Sequence, residues 1–228
     1  MYKGGKCTVS RTKSGVSSIR IIVYGYIIMI LVQLLLQVSR LLMPEISFEL
    51  GAIALMLFSW LILLLGFHLM SSKGREFRRG RFASLLGVLA TAAEAYYAYR
   101  YVKAGMGMAT FIDMYVLFFW FLSICILLYT FSKALKGMQP IVEMTDERLA
   151  SKYPRTALLV GTIVVLVLVF LPVMQMLPKV TGYVGTLTLG VVMALAQGYV
   201  CKLLLDGYHA VRANTDEARE AARRERRS

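Results

Sequence analysis

One acidic residue, Glu94, lies in a stretch of sequence that is otherwise apolar enough to cross a lipid bilayer. It is surrounded by alanines in ATAAEAYYAYRY, residues 90–101, and tyrosines follow it closely. A bare carboxylate inside hydrocarbon is energetically costly, so the group must be protonated, paired or hydrated. A carboxyl in this setting can take up and release a proton or bind a polar ligand, and it is a functional-site candidate by default.

Three polar residues on the first apolar segment are the second candidate group. Gln33, Gln37 and Arg40 follow one another at spacings of four and three, which places them on one face of a helix. A rise of about 1.5 Å per residue puts Glu94 in the outer half of the bilayer, at a depth similar to theirs. We therefore predict a ligand- or proton-binding site formed by Glu94, Arg40, Gln33 and Gln37, with Asp113 and Gln175 at similar depth.

This polar group has a second interpretation. Glu94 could be neutral, or paired with Arg40, and serve only to hold helices together. Arg40 could also extend its side chain to the outer headgroups. The nearby tyrosines 96, 97, 99 and 101 are typical of the aromatic belt at a membrane interface.

Six segments can carry these residues across a membrane. Five of them contain no Lys, Arg, Asp or Glu, and a sixth is interrupted only by Glu94. Each is close to or above the roughly 18–20 residues that a helix needs to cross about 30 Å of hydrocarbon. The sequence therefore predicts an all-α membrane protein with six transmembrane helices. The segments are 21–39, 50–72, 82–99, 114–132, 156–178 and 180–201.

The basic residues predict the orientation. If the N-terminus is cytoplasmic, all but four of the 26 Lys and Arg residues face the cytoplasm, the exceptions being Arg40, Arg100, Lys103 and Lys179. Such positive-inside bias orients polytopic proteins, so both termini are predicted to be cytoplasmic in a plasma-type membrane. The same bias explains the net charge of +13 through contact with anionic lipid, and nucleic acid is not an expected partner.

The order of apolar segments and connecting segments along the chain predicts three helical hairpins, whose short outer turns contain Pro or Gly. Residues 1–19 are a basic cytoplasmic segment, 20–208 the six-helix transmembrane domain, and 209–228 a charged cytoplasmic helix. For the last of these, Asn214 is a candidate N-cap, acidic residues follow it, and arginines gather at the end, as the helix dipole favours.

Small residues predict where helices approach closely. They recur every four residues on the sixth apolar segment, and Gly87 and Thr91 continue a similar row on the third. The partner could be another helix of this chain or a second subunit, and Gln197 is positioned to bridge helices. The row on the sixth segment is Gly182, Thr186, Gly190, Ala194 and Gly198.

The sequence contains little that indicates an enzyme or a cofactor-binding protein. The three cysteines form no CxxC pair, no metal or cofactor site is indicated, and intramembrane protease and Walker motifs do not occur. DGYHAVR at 206–212 differs from the DGxxAR start of the CDP-alcohol phosphotransferases by the place of its arginine, and that family's downstream aspartates do not follow.

Two functional hypotheses follow. The first is a small transporter or ligand-binding membrane subunit with an outward-facing polar site around Glu94. The second is a non-transporting accessory or scaffold protein that packs against a larger complex, or against itself, through small-residue helix faces.

Overall fold

The structure is a computed structural model that describes residues 8–42, 46–104, 109–175 and 179–225. Nearly all of these residues are helical, and no strand occurs among them. A short 3₁₀ turn, Ser71–Lys73, joins the second helix to the third. The helices are α1 (Thr8–Leu42), α2 (Ile46–Met70), α3 (Arg75–Ala104), α4 (Ala109–Glu143), α5 (Glu147–Ala150), α6 (Lys152–Gln175) and α7 (Lys179–Glu225).

Four helical segments are long and apolar enough to cross a membrane by length and composition. They were found among the described residues as Ser17–Leu35, Gly51–Lys73, Phe121–Glu143 and Gly190–Glu217. The helix α3, which carries Glu94 and a basic first turn, is not among them, and the side chains of part of α6 lie outside the described residues. The described chain is thus helical with four membrane-capable segments, and the six-span hairpin arrangement remains a prediction.

The charged tail differs from the expectation of a separate helix over 209–228. The helix α7 runs unbroken from Lys179 to Glu225, and Asn214 lies inside it instead of capping a new helix. Residues 208–225 contain no glycine or proline and are rich in Ala, Arg and Glu, which favour helix. The ion pair between Arg212 Nε and Asp216 Oδ2, 3.6 Å apart, adds support along the exposed face.

Neighbouring helices pack in a closed order. In that order α1 contacts α2, α2 contacts α3 and α3 contacts α4, while α7 lies against α1, α4 and α6. In the interior, Tyr26 of α1 stacks on Phe131 of α4 with ring centroids 4.0 Å apart. At one end of the bundle, the Arg20 guanidinium lies 6.0 Å from the centre of the Tyr208 ring, and Glu76 pairs with Lys133. We call this end the basic end.

Close packing fixes the antiparallel register of α2 and α3. A Cβ placed on Gly87 would lie 2.5 Å from the indole of Trp60, and Gly80 meets Phe67 in the same way. A contact seven residues later on α3 therefore lies seven residues earlier on α2, as antiparallel helices require. The α3–α4 pair is equally regular, because Gly137 packs on Phe77 and Ser123 lies beside Thr91.

Candidate functional site

Glu94 lies on the inward face of α3. Its side chain is 2% exposed, and Ala90 and Thr91, one turn earlier on the same face, are buried as well. Among the acidic residues whose side chains the structure describes, Glu94 alone is buried. The bundle therefore holds this carboxyl away from the lipid-facing surface.

A buried polar cluster lies about one helical turn from Glu94, towards the basic end. The indole Nε1 of Trp60 donates to Ser123 Oγ at 3.2 Å. The Thr91 hydroxyl lies 3.4 Å from the same oxygen. All three residues are at most 2% exposed, so these hydrogen bonds join α2, α3 and α4 in the interior.

The helix registers place Glu94 at the depth of the polar residues on α1. Continuing from the Gly87–Trp60 contact, Glu94 is level with Ile53 of α2. On α1 and α2, Gly25 packs against Leu63 and Gly66 against Ile22, so Ile53 is in turn level with residue 35. Gln33 and Gln37 flank that residue along the chain.

Gln33 has a partner that the predicted site did not include. It is half-buried, and its Oε1 accepts from Gln197 Nε2 at 3.4 Å across α1 and α7. The expectation that Gln197 bridges helices is thus confirmed. Gln197 is 1% exposed, and its own Oε1 has no hydrogen-bond partner among the described residues. The side chains of Arg40, Gln37, Asp113 and Gln175 lie outside the described part of the chain.

Tyrosines near Glu94 divide into two groups. Tyr96 and Tyr99 are 55% and 54% exposed, as the side chains of an interfacial belt would be. Tyr97 instead stacks on Tyr115 and Phe119 of α4, with centroids 4.9 and 5.7 Å apart. This residue therefore contributes to the α3–α4 contact on the side of Glu94 that faces away from the basic end.

Small residues in the candidate packing rows have different surroundings. Gly87 lies against Trp60, and Thr91 is fully buried. On α7, Gly190 is buried and Ala194 half-buried, whereas Gly198 is exposed, and a Cβ added to it would have no atom within 4 Å. The described part of that row thus turns from the bundle to its outside. The surroundings of Gly182 and Thr186 lie outside the described part of the chain.

An ion pair at the basic end was not found from sequence, because its members are far apart in the chain. Lys133 Nζ donates to Glu76 Oε2 at 2.8 Å, and Arg79 reaches the other oxygen at 3.1 Å. The Lys133 side chain is only 10% exposed. This hydrogen bond, with the positive charges of Lys133, Arg79 and Lys136, holds the pKa of the Glu76 carboxyl below its ordinary value, against the opposing effect of burial.

Replacing Glu76 with glutamine is expected to lower the melting temperature in detergent at pH 7 by about 1–3 °C. Because the pKa of Glu76 is lowered in the folded protein, its contribution is complete above about pH 4.5, the ordinary value. The contribution is lost as pH falls through the folded-state pKa. Melting curves of both proteins from pH 7 to pH 3 should therefore converge at the acidic end.

Glu143→Gln is the matched control for this experiment, since Glu143 is exposed and forms no ion pair with the described residues. It should leave the melting temperature unchanged across the range. A difference between wild type and Glu76→Gln that is independent of pH would contradict the proposed role of the carboxylate charge.

Among the described residues, no three His, Cys, Asp or Glu side chains form a group that could hold a metal ion. Comparison with protein families, with characterised proteins and with solved structures gives no match to this chain. The class of the protein therefore follows from its own fold. Four apolar, membrane-capable helices in an almost wholly helical chain indicate an α-helical membrane protein.

Proposed function

We propose that this membrane protein binds a proton or a small polar ligand at Glu94, as a transporter or as the ligand-binding subunit of one. The observation that carries the proposal is the burial of the Glu94 carboxyl, which is 2% exposed within a bundle of apolar helices. Ionisable residues at such positions are expensive, and they occur where protons, ions or substrates are bound.

The surroundings support a polar site more than a simple helix contact. The Trp60–Ser123–Thr91 cluster places further polar groups in the interior about one helical turn from Glu94, so the carboxyl is part of a longer polar region between the helices. Gln33 and Gln197 supply further amide groups between α1 and α7, and Gln33 is near the depth of Glu94. In this proposal Arg40 and Gln37 complete the polar lining at the outward-facing side.

The proposal is tested by infrared difference spectroscopy of the carboxyl band across pH, with Glu94→Gln as the variant that identifies the band. A Glu94 band that changes with pH is expected, because a binding site must exchange protons with water. Glu76→Gln is a control for the subtraction, since Glu76 lies at the basic end beside Lys133. A Glu94 carboxyl that never titrates would mean a sealed contact and would overturn the proposal.

The exposed glycine on α7 favours a second candidate function. Gly198 and Gly161 of α6 both face open space, and Leu195 beside Gly198 is 71% exposed. An exposed glycine lets the helix of a partner approach closely within a bilayer, and the exposed apolar side chain beside it on α7 would add to the contact. An accessory or scaffold protein would use this face, and it would show a Glu94 carboxyl that does not titrate.

A further inference from the structure

A groove of about 690 Å³ runs between α3 and α4 at the basic end of the bundle, far from Glu94 along α3. Three arginines of α3, Arg75, Arg78 and Arg79, line one part of it. The rest is lined mainly by apolar side chains, among them Phe82, Leu86 and Ile126. The groove thus joins a strongly positive region to an apolar one.

The two regions are separated along the helix axis by a distance that suits a lipid. Arg79 and Leu86 are seven residues apart on α3, which corresponds to roughly 10 Å along the helix axis. Phe82 is 63% exposed and Leu86 41% exposed, so the apolar wall is open to the surroundings. The predicted apolar segment 82–99 begins at Phe82, and the segment 114–132 ends just past Tyr129, so the groove opens where the bilayer is expected to end.

The positive charges that line the groove favour an anionic ligand. The Glu76 carboxylate, next to Arg75 in the chain, is already bound to Lys133 at 2.8 Å and to Arg79 at 3.1 Å. Arg75 and Arg78 form no ion pair with any of the described residues. Two guanidinium groups are therefore available at the mouth of the groove, and guanidinium binds phosphate oxygens in a bidentate manner.

We infer that this groove binds an anionic phospholipid, with Arg75 and Arg78 holding the phosphate and the first part of an acyl chain lying along Phe82, Leu86 and Ile126. A free phosphate ion would use the arginines but leave the apolar wall uncovered. A zwitterionic lipid would fill the wall but offer less net charge to the arginines. The combination of both regions selects a lipid with a negatively charged headgroup.

Cys125 provides a direct reporter, because it lines the groove and its side chain is partly exposed. The rate of its reaction with N-ethylmaleimide is measured by peptide mass spectrometry on the full chain in detergent. Added phosphatidylglycerol is expected to slow the reaction several-fold. Phosphatidylcholine with the same acyl chains and inorganic phosphate should each leave the rate unchanged, and buried Cys201 serves as the internal reference.

A paired variant then tests the arginines. Arg75→Ala with Arg78→Ala should weaken phosphatidylglycerol binding, measured by native mass spectrometry, by roughly thirtyfold, since each basic residue near an anionic headgroup contributes about fivefold. Arg148→Ala with Arg155→Ala removes the same charge from exposed positions of α5 and α6 that do not line the groove. This control should retain wild-type binding.

Several outcomes would overturn the inference. Equal protection of Cys125 by phosphatidylcholine would show a groove that does not select charge, and protection by inorganic phosphate alone would show an ion site without a lipid. Equal loss of binding in both double variants would mean that only net charge matters. Because the Cys125 measurement uses the wild-type protein, it decides the question even where a variant folds poorly.

Discussion

Replacing Gly87 with leucine is expected to destabilise the bundle by about 3 kcal/mol and to lower its melting temperature by about 10 °C. A Cβ at this position would lie 2.5 Å from two atoms of the Trp60 indole, and that ring is fully buried. The ring cannot move aside without breaking the hydrogen bond from Nε1 to Ser123. The helices α2 and α3 must therefore separate to accept the larger side chain.

Two glycines of the same protein provide matched controls for Gly87→Leu. No atom lies within 4 Å of a Cβ built on Gly161 or on Gly198, so leucine fits there without displacing a neighbour. Thermal melts in detergent of Gly161→Leu and Gly198→Leu should remain within about 2 °C of wild type. A comparable loss in all three variants would show that helix propensity, and not the contact with Trp60, determines the effect.

Truncating Trp60 to alanine is expected to cost about 3–5 kcal/mol, because it leaves a cavity at the centre of the α2–α3–α4 contact and removes a hydrogen bond to Ser123. The same change should partly rescue Gly87→Leu. In the double variant, the leucine side chain can occupy the space that the indole leaves. We expect the combined loss to be smaller than the sum of the two single losses by about 1–3 kcal/mol.

Chemical unfolding of the four proteins in the cycle, wild type, both single variants and the double variant, measures this coupling. Additive losses would contradict the assignment of Gly87 and Trp60 as one contact. If the infrared carboxyl band of Glu94 titrates in the double variant as it does in wild type, the Trp60 contact supports the fold and does not itself shape the carboxyl site.

Several features of the fold were predictable because they depend on local sequence. The helical class follows from long apolar segments, since a bilayer requires each backbone group to be hydrogen-bonded within its own helix. The depth of Glu94 relative to Gln33 and Gln37 follows from the constant rise of a helix, and the packing registers agree with it. The bridging role of Gln197 followed from an amide placed on an apolar helix.

Other features were not predictable for an equally physical reason. Hydrophobic periodicity distinguishes inside from outside in water-soluble helices, but a helix such as α2 is apolar on all sides and gives no such signal. The row of small residues on α7 thus did not reveal that Gly198 faces outward while Gly190 faces the bundle. The helices α1, α4 and α7 also extend past the apolar segments, and in α7 charged helix formers continue the helix.

The sequence by itself determined that this chain is helical, apolar enough for a membrane, basic at one end and marked by one acidic residue at depth. Those properties depend on residue type and on spacing along a single helix. Only the tertiary structure decided that Gln33 contacts Gln197, that Lys133 neutralises Glu76, and that Arg75 and Arg78 border an open apolar groove. Each of these contacts depends on how a helix is rotated about its axis relative to its neighbours. Close packing of glycines against bulky side chains determines that rotation, and residue composition does not.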